Sequence, residues 1–271
     1  MKAVVKGVAP PELTHFRSRC PRATWEEMRH DPYFEGQQAY TQIRGRLLGD
    51  QGGICAYCEL DIRDNHPLKC RVEHFHPKSD TTSPKNWALD WNNLLAVCNG
   101  GSNEYVNTPG FFLMPKDENL SCDAHKDRMI QKGKLSPAGE GWILNPLQVN
   151  SFPNLFRVNH FSGRLEPDEL ACNQVSPIQP NNLGSTLDLV QKTIDMLNLN
   201  CARLCDERMI LIRTIEQGKK EQRKKGFSPT EGLENLCKRY FHFRWPQFFS
   251  TIRFCLGQAA EKYLQEIGYN G

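Results

Sequence analysis

RVEHFHPKSD, residues 71–80, gathers Glu73, His74 and His76 within four positions of one another and follows them with Pro77 and Lys78. Buried acid and imidazole groups are costly unless each finds a partner, so core packing gives no reason for this combination, whereas chemistry would. Val72 to Pro77 alternates apolar and polar residues as a short strand does. That puts Val72 and His74 on one face and Glu73 and Phe75 on the other, unless a bend re-aims them. Around this strand, from Gly52 to about Ile130, helical periodicity breaks down and Cys, His, Asn, Gly and Pro accumulate. Apolar runs there shorten to fragments such as LLAVC, so the segment needs something besides a large core to hold it.

Thiols supply a candidate. Cys55 and Cys58 in GGICAYCEL have the two-residue spacing that lets both reach one tetrahedral zinc from a tight turn. Cys98 ends NNLLAVC and Cys122 opens CDAHKD, with enough chain between them to fold back onto the first pair. Metal binding by these four can supply the folding free energy that burial does not. The alternative is that some are small buried hydrophobes. That is the reading for Cys20, Cys70, Cys172, Cys201, Cys205, Cys237 and Cys255. Eleven cysteines in a chain without an apolar leader argue for reduced thiols and a cytoplasmic protein.

The 271 residues, 39% of them hydrophobic, suffice for one or two ordinary domains, and no apolar run is long enough to span a membrane. A net charge of +3 and a pI near 8.3 permit nucleic-acid binding without arguing strongly for it. From Thr24 a helical pattern runs to Gly49, opened by a capping-box spacing of Thr24 and Glu27. After Gly133 apolar pieces alternate with Asn-Pro, Phe-Pro and Ser-Gly turn signals, which predicts short strands. Helical spacing returns from Ser185, and a last helix is expected through Trp245 to Ile267. The expected fold class is α+β, mainly α, in three parts: a helical lead-in over 1–50, a zinc-held module over 51–132 and a mainly helical region over 133–271. Lys219, Lys220, Arg223, Lys224 and Lys225 form the densest basic run, read first as a solvated helix end and second as a phosphate contact. The aromatic cluster YFHFRWPQFF, 240–249, reads as core or partner interface before it reads as a base-stacking surface.

Taken in order, Cys55-x-x-Cys58, Val72-Glu73-His74-Phe75-His76-Pro77, Trp91-Asn92-Asn93-Leu94 running to Cys98, and Cys122-Asp123-x-x-Lys126 resemble the HNH nuclease family in its zinc-bound form. Three features depart from the family pattern. Cys98 and Cys122 lie 24 residues apart where a tight pair is usual, so an insertion must loop out between them. Glu73 stands for the commoner Asp, and Asp123 for the commoner Asn or His. The phrases CAYCE, VEHFHPKS, DWNNLL, ILNP and TIDMLNLN further resemble the HNH subunit of Septu-type anti-phage systems, including those attached to retrons.

The resemblance implies a ββα-metal module in which His74 is the general base, and Glu73 and Asp123 bind a catalytic Mg²⁺ or Mn²⁺. Asn93 then fixes the loop carrying His74, and a structural Zn²⁺ sits in Cys55, Cys58, Cys98 and Cys122. His76 is a possible assistant at the phosphate or the metal. His125 competes with Asp123 as second ligand of the catalytic cation, and Lys126 is placed to meet phosphate. Implied partners are a nucleic-acid substrate, an ATPase subunit (PtuA-like), and a retron reverse transcriptase with its multicopy single-stranded DNA. The chain has no GxxxxGK[ST] motif, so ATP dependence would come from another polypeptide. Two rival readings stand: a zinc-stabilised nucleic-acid-binding module without catalysis, and a stand-alone restriction or homing-type nuclease.

Overall fold

The computed structural model describes residues 1–63, 69–102, 117–242 and 245–271. His66, Phe243, Arg244 and most of the insertion between Cys98 and Cys122 lie outside the described residues. The chain is mainly helical, with two small antiparallel sheets.

Three helices open it: α1 (Pro11–Arg19), α2 (Trp25–Arg29) and α3 (Glu35–Asp50). The Thr24 hydroxyl accepts from the Glu27 backbone N–H while the Glu27 carboxylate accepts from Thr24 N, so the capping box is present. The helical pattern from Thr24 is nonetheless two helices, separated by a turn ending at Phe34 in the left-handed region with φ 64°. Asp31 causes the break by accepting the Gly36 N–H at 2.9 Å. Gly36 has no side chain because a Cβ would lie 2.1 Å from the Met28 carbonyl of α2.

From α3 the chain turns through Gly52 and Gly53, both at positive φ, into the CAYCE turn. It then enters β1 (Cys70–His74), which pairs antiparallel with β2 (Leu94–Cys98), Glu73 opposite Leu95 and His74 opposite Leu94. Next comes α4 (Cys122–Gln131), which packs on β2. The hinge of this arrangement is Gln51. Its Nε2 donates to Ile54 O at 3.0 Å and Ala96 O at 2.7 Å, and its Oε1 accepts from Ala96 N at 2.8 Å. One buried amide thereby fastens the end of α3, the cysteine turn and the middle of β2.

The rest is β3 (Phe156–Val158), β4 (Leu165–Pro167), α5 (Glu169–Gln174), α6 (Thr186–Met196), α7 (Ala202–Lys224), α8 (Pro229–Phe241), α9 (Phe249–Leu256) and α10 (Gln258–Glu266). The short strands after Gly133 are thus a β3–β4 hairpin, packed on α9. The expected single helix from Trp245 to Ile267 is two. Gly257, at φ 56° and ψ −137°, ends α9 and lets α10 leave in a new direction. The basic run closes α7, where Lys219 donates to Cys255 O and pairs with Glu216, each at 2.8 Å.

Segment 51–132 is less dependent on metal for burial than its composition suggests. Ile54, Tyr57, Ile62, Phe75, Leu89 and Leu94 to Val97 are buried in one apolar cluster that also holds Leu13 and Leu47 from the N-terminal helices and Leu204 and Phe249 from the C-terminal ones. Cys70, Cys172, Cys201, Cys205, Cys237 and Cys255 are buried too, as small hydrophobes are, and Cys20 is half-buried. Among the described residues no helix is long and apolar enough to cross a membrane.

Replacing Gln51 by Leu would leave Ile54 O and Ala96 N buried without these partners. The expected loss is about 3 kcal/mol, measured as a lower urea midpoint with an unchanged denaturant slope.

Candidate active site and metal centre

Three elements deliver the four thiols of the motif to one point. Cys55 and Cys58 sit in a turn closed by Cys55 N to Leu60 O at 2.8 Å and Glu59 N to Cys55 O at 3.0 Å. Cys98 ends β2, and Cys122 begins α4. The sulphurs of Cys55 and Cys122 are 3.9 Å apart, those of Cys58 and Cys98 3.6 Å, and those of Cys98 and Cys122 3.7 Å. All four lie within 4.8 Å of one another and all four residues are buried. Sulphurs on a tetrahedral zinc, each about 2.3 Å from the ion, stand about 3.8 Å apart. The set therefore fits a metal ion such as zinc.

Two residues of this centre hold left-handed backbone without being glycine, Glu59 at φ 64° and Cys122 at φ 54°. The surroundings hold both. Glu59 is buried, its carboxylate accepting from Ser250 N at 2.9 Å and Ser250 Oγ at 2.6 Å. Cys122 N donates to Leu197 O at 2.8 Å, and Asn198 Nδ2 donates to Glu118 O and Leu120 O. The phrase LNLN is thus the clasp that sets Cys122 and the start of α4. Arg203 lies over the same centre, donating to Ser121 Oγ at 3.0 Å. Burial works against its charge, but the thiols of Cys98, Cys201, Cys58 and Cys122 hold its pKa above the ordinary value.

One strand pitch away the alternation of β1 separates two environments. Arg71 and Glu73 meet α4, whereas His74 meets α2. Glu73 is buried, and its Oε1 accepts from Lys126 Nζ at 2.5 Å and from the Tyr57 hydroxyl at 3.4 Å. Asp123 faces it. Burial first, then the Glu73 charge and a hydrogen bond with Glu73, push the Asp123 carboxyl well above its usual range. Two carboxylates forced together out of water call for a cation between them. Lys126 answers only part of that call, because its ammonium also caps His74 O at 3.2 Å and Phe75 O at 3.1 Å. Oxygen donors of this kind suit a hard divalent ion.

His74 is half-buried, with its ring edge-on to Trp25 at 4.6 Å between centroids. Its Nε2 lies 3.0 Å from Ala88 O. A carbonyl can only accept, so Nε2 carries the proton and Nδ1 is the open, basic nitrogen. Burial, ahead of the nearby lysines, lowers its pKa to about 4, so the ring is neutral at pH 7.

Asn93, buried on the short turn before β2, ties down the loop after His74. Its Oδ1 accepts from His76 N at 2.7 Å, and its Nδ2 donates to His76 O and Trp87 O, each at 2.9 Å. Asn92 beside it is exposed. His76 stacks on Trp87 at 3.9 Å and both its nitrogens are engaged, Nδ1 with Glu140 at 3.0 Å and Nε2 with Asp80 at 2.7 Å. That leaves it no nitrogen for a phosphate or a metal in this state. His125 turns its Nδ1 to Met196 O at 2.9 Å, away from Glu73. Lys126 is buried against Glu73 rather than displayed to solvent.

Sequence reasoning missed Tyr57, Arg71, Trp25 and Arg203. Tyr57 had a signal, since it sits between the first two thiols and a turn there has little room for an unburied aromatic. Arg71 had one as well, two residues before Glu73 and so on the same strand face. Trp25 and Arg203 come from distant helices, and no local pattern marks them.

No family model matches the chain. It is 35% identical over 255 residues to a protein of Escherichia coli named "Retron Ec83 putative HNH endonuclease", a match covering 93% of this chain and 92% of that one. The likeness therefore spans the helical flanks as well as the thiols, the carboxylates and His74. On this identity and coverage, the chain belongs to the HNH endonuclease family.

Proposed function

We propose that β1, β2 and α4 form a ββα-metal module that hydrolyses phosphodiester bonds of nucleic acid. The observation that carries this reading is buried Glu73 opposed by half-buried Asp123, with Glu73 one residue from a neutral imidazole whose Nδ1 is open. A binding module would have no use for two acids facing each other with so little access to water. The thiols of Cys55, Cys58, Cys98 and Cys122 hold a structural Zn²⁺, and Glu73 and Asp123 hold Mg²⁺ or Mn²⁺. When bound, that hard cation supplies Lewis-acid stabilisation of charge on the phosphate oxygens.

The chain's own residues do the rest. His74 takes a proton from water at Nδ1 as the water oxygen forms its bond to phosphorus. The bond from phosphorus to the leaving sugar oxygen breaks, and that oxygen takes a proton from solvent. The Nε2–H bond to Ala88 O fixes the ring and stabilises the imidazolium as it forms. Asn93 keeps the turn beyond His74 from moving, through its bonds to both backbone groups of His76. Trp25 closes the inner side of the imidazole against water.

The working context follows from the relative's name and from the Septu resemblance: a prokaryotic anti-phage system with a retron reverse transcriptase, its multicopy single-stranded DNA and an ATPase subunit. The helical region 133–271 is the part proposed to meet those partners.

Wild type and His74→Ala are to be compared on plasmid, single-stranded DNA and RNA, with Mg²⁺ or Mn²⁺ and with EDTA, alone and with the ATPase subunit added. Cleavage should need added metal and fall at least about 100-fold in the variant. Undiminished cutting by His74→Ala would remove His74 from the role of base. Elemental analysis should find about one zinc per chain in both proteins. Cys122→Ser should lose that zinc and unfold at a clearly lower temperature. Full stability in the zinc-free variant would make the thiols ordinary core residues.

A further inference from the structure

The carboxylate pair is bordered by two positive charges that differ in kind. Lys126 and Arg71 are the cations that Asp123 and its neighbour Asp127 both feel. Lys126 is buried, and an ammonium has three donors. Those go to Glu73 Oε1, His74 O and Phe75 O. Withdrawing it would uncap the end of β1 as well as Glu73. Arg71 is placed otherwise. Its side chain is 35% exposed, and its Nη1 stands 3.8 Å from Asp123 Oδ2, close enough for an ion pair and too far for a hydrogen bond. Its Nη2 is held by the Ser102 hydroxyl.

Residues 71 and 73 lie on one face of β1, about 7 Å apart along the strand. That gap matches a phosphate group seated between a guanidinium and a cation held by Glu73. Ser102 is itself fixed, with its N and Oγ both donating to Asn99 O, at 3.1 and 2.7 Å. The turn before it runs through Gly100 at φ 65°, where a Cβ would lie 2.2 Å from Ser121 O, so this turn is pressed against the segment that leads into Cys122 and Asp123. The same packing that sets Asp123 sets the aim of Arg71.

We infer that Arg71 is the phosphate clamp of this site, its guanidinium gripping the non-bridging oxygens of the target phosphate beside the cation held by Glu73 and Asp123, with Ser102 aiming it. The inference rests on the proposed hard-cation site. Guanidinium is suited to the task because its planar fork meets two phosphate oxygens at once, which an ammonium does not. Arg71 forms no covalent bond and moves no proton. It neutralises charge on the phosphate as the attacking and leaving oxygens exchange.

The test separates clamp from scaffold without relying on turnover. Mn²⁺ affinity is measured by electron paramagnetic resonance for the zinc-loaded full chain as wild type, Arg71→Ala, Arg71→Lys and Ser102→Ala. Inorganic phosphate is then added, and the paramagnetic broadening of its phosphorus signal by protein-bound Mn²⁺ is recorded. Arg71→Ala should bind Mn²⁺ as tightly as wild type or tighter, having lost a repelling charge, while its phosphate affinity falls at least about 10-fold, the scale of one charge-assisted bidentate contact. Arg71→Lys should restore only part of it, and Ser102→Ala should weaken phosphate binding less than Arg71→Ala does. Mn²⁺ affinity lost together with phosphate affinity in Arg71→Ala would make Arg71 a scaffold for Asp123 and overturn the clamp. Phosphate binding unchanged in Arg71→Ala would overturn it as well. Wild type that binds no Mn²⁺ would overturn the cation site itself, and the clamp with it.

Discussion

Everything around the candidate site hangs on four sulphurs meeting at one point. The thiols come from a turn, a strand end and a helix start that are separated in sequence by as much as 67 residues. Each position also fixes a neighbour that matters. Between Cys55 and Cys58 lies Tyr57, whose hydroxyl reaches Glu73. Cys98 ends the strand paired with β1. Cys122 is followed directly by Asp123. Gathering the sulphurs therefore also gathers the phenol, the two acids and the strand register that places His74. A metal ion at this point would lock all of these relations with one set of bonds, where burial brings four thiols together.

The second constraint is electrostatic. Buried Glu73 and half-buried Asp123 face each other, and beside them the fold sets one committed cation and one peripheral one. Lys126 answers Glu73 and caps the end of β1. Asp123 is left short of positive charge, as its raised pKa records, with Arg71 at ion-pair distance. Such an arrangement is poorly explained as a stability device, since a buried acid pair weakens a fold unless something neutralises it. It is what the proposed hard-cation site would require. His74 is treated in the opposite way. Burial keeps it neutral and the bond to the Ala88 carbonyl keeps it in one tautomer, the condition in which an imidazole can accept a proton.

How much of this the sequence carried depends on the range of the interaction. The Thr24 capping box and the short strand at Val72 to His74 are local and were legible, as was the return of helical spacing after Ser185. The thiol cluster was legible because CxxC and its later partners have few other uses in a chain of this kind. Boundaries governed by one residue's backbone were not, as the split at Phe34 and the split at Gly257 show, because apolar periodicity continues across both breaks. Roles set by distant partners were also hidden. His76 reads as available from its neighbours in sequence, but Glu140 lies 64 positions away and takes one of its nitrogens. Lys126 reads as placed to meet phosphate until β1 is folded over it and Glu73 takes its ammonium.

The choice between Asp123 and His125 shows where local reading stops and why the rest of the chain matters. Both lie in the first turn of α4, and spacing alone leaves either able to face Glu73. What orients them is α6. Its C-terminal end presents Met196 O to His125 and Leu197 O to Cys122 N, while Asn198 holds the approach at Glu118 and Leu120. These bonds rotate α4 so that Asp123 turns inward and His125 turns to the helical half. A family motif with a tight terminal Cys pair would set that rotation by itself. Here the pair is opened by 24 residues, and the helical half takes over the task, which makes the helical region 133–271 part of the site's geometry rather than an appendage to it.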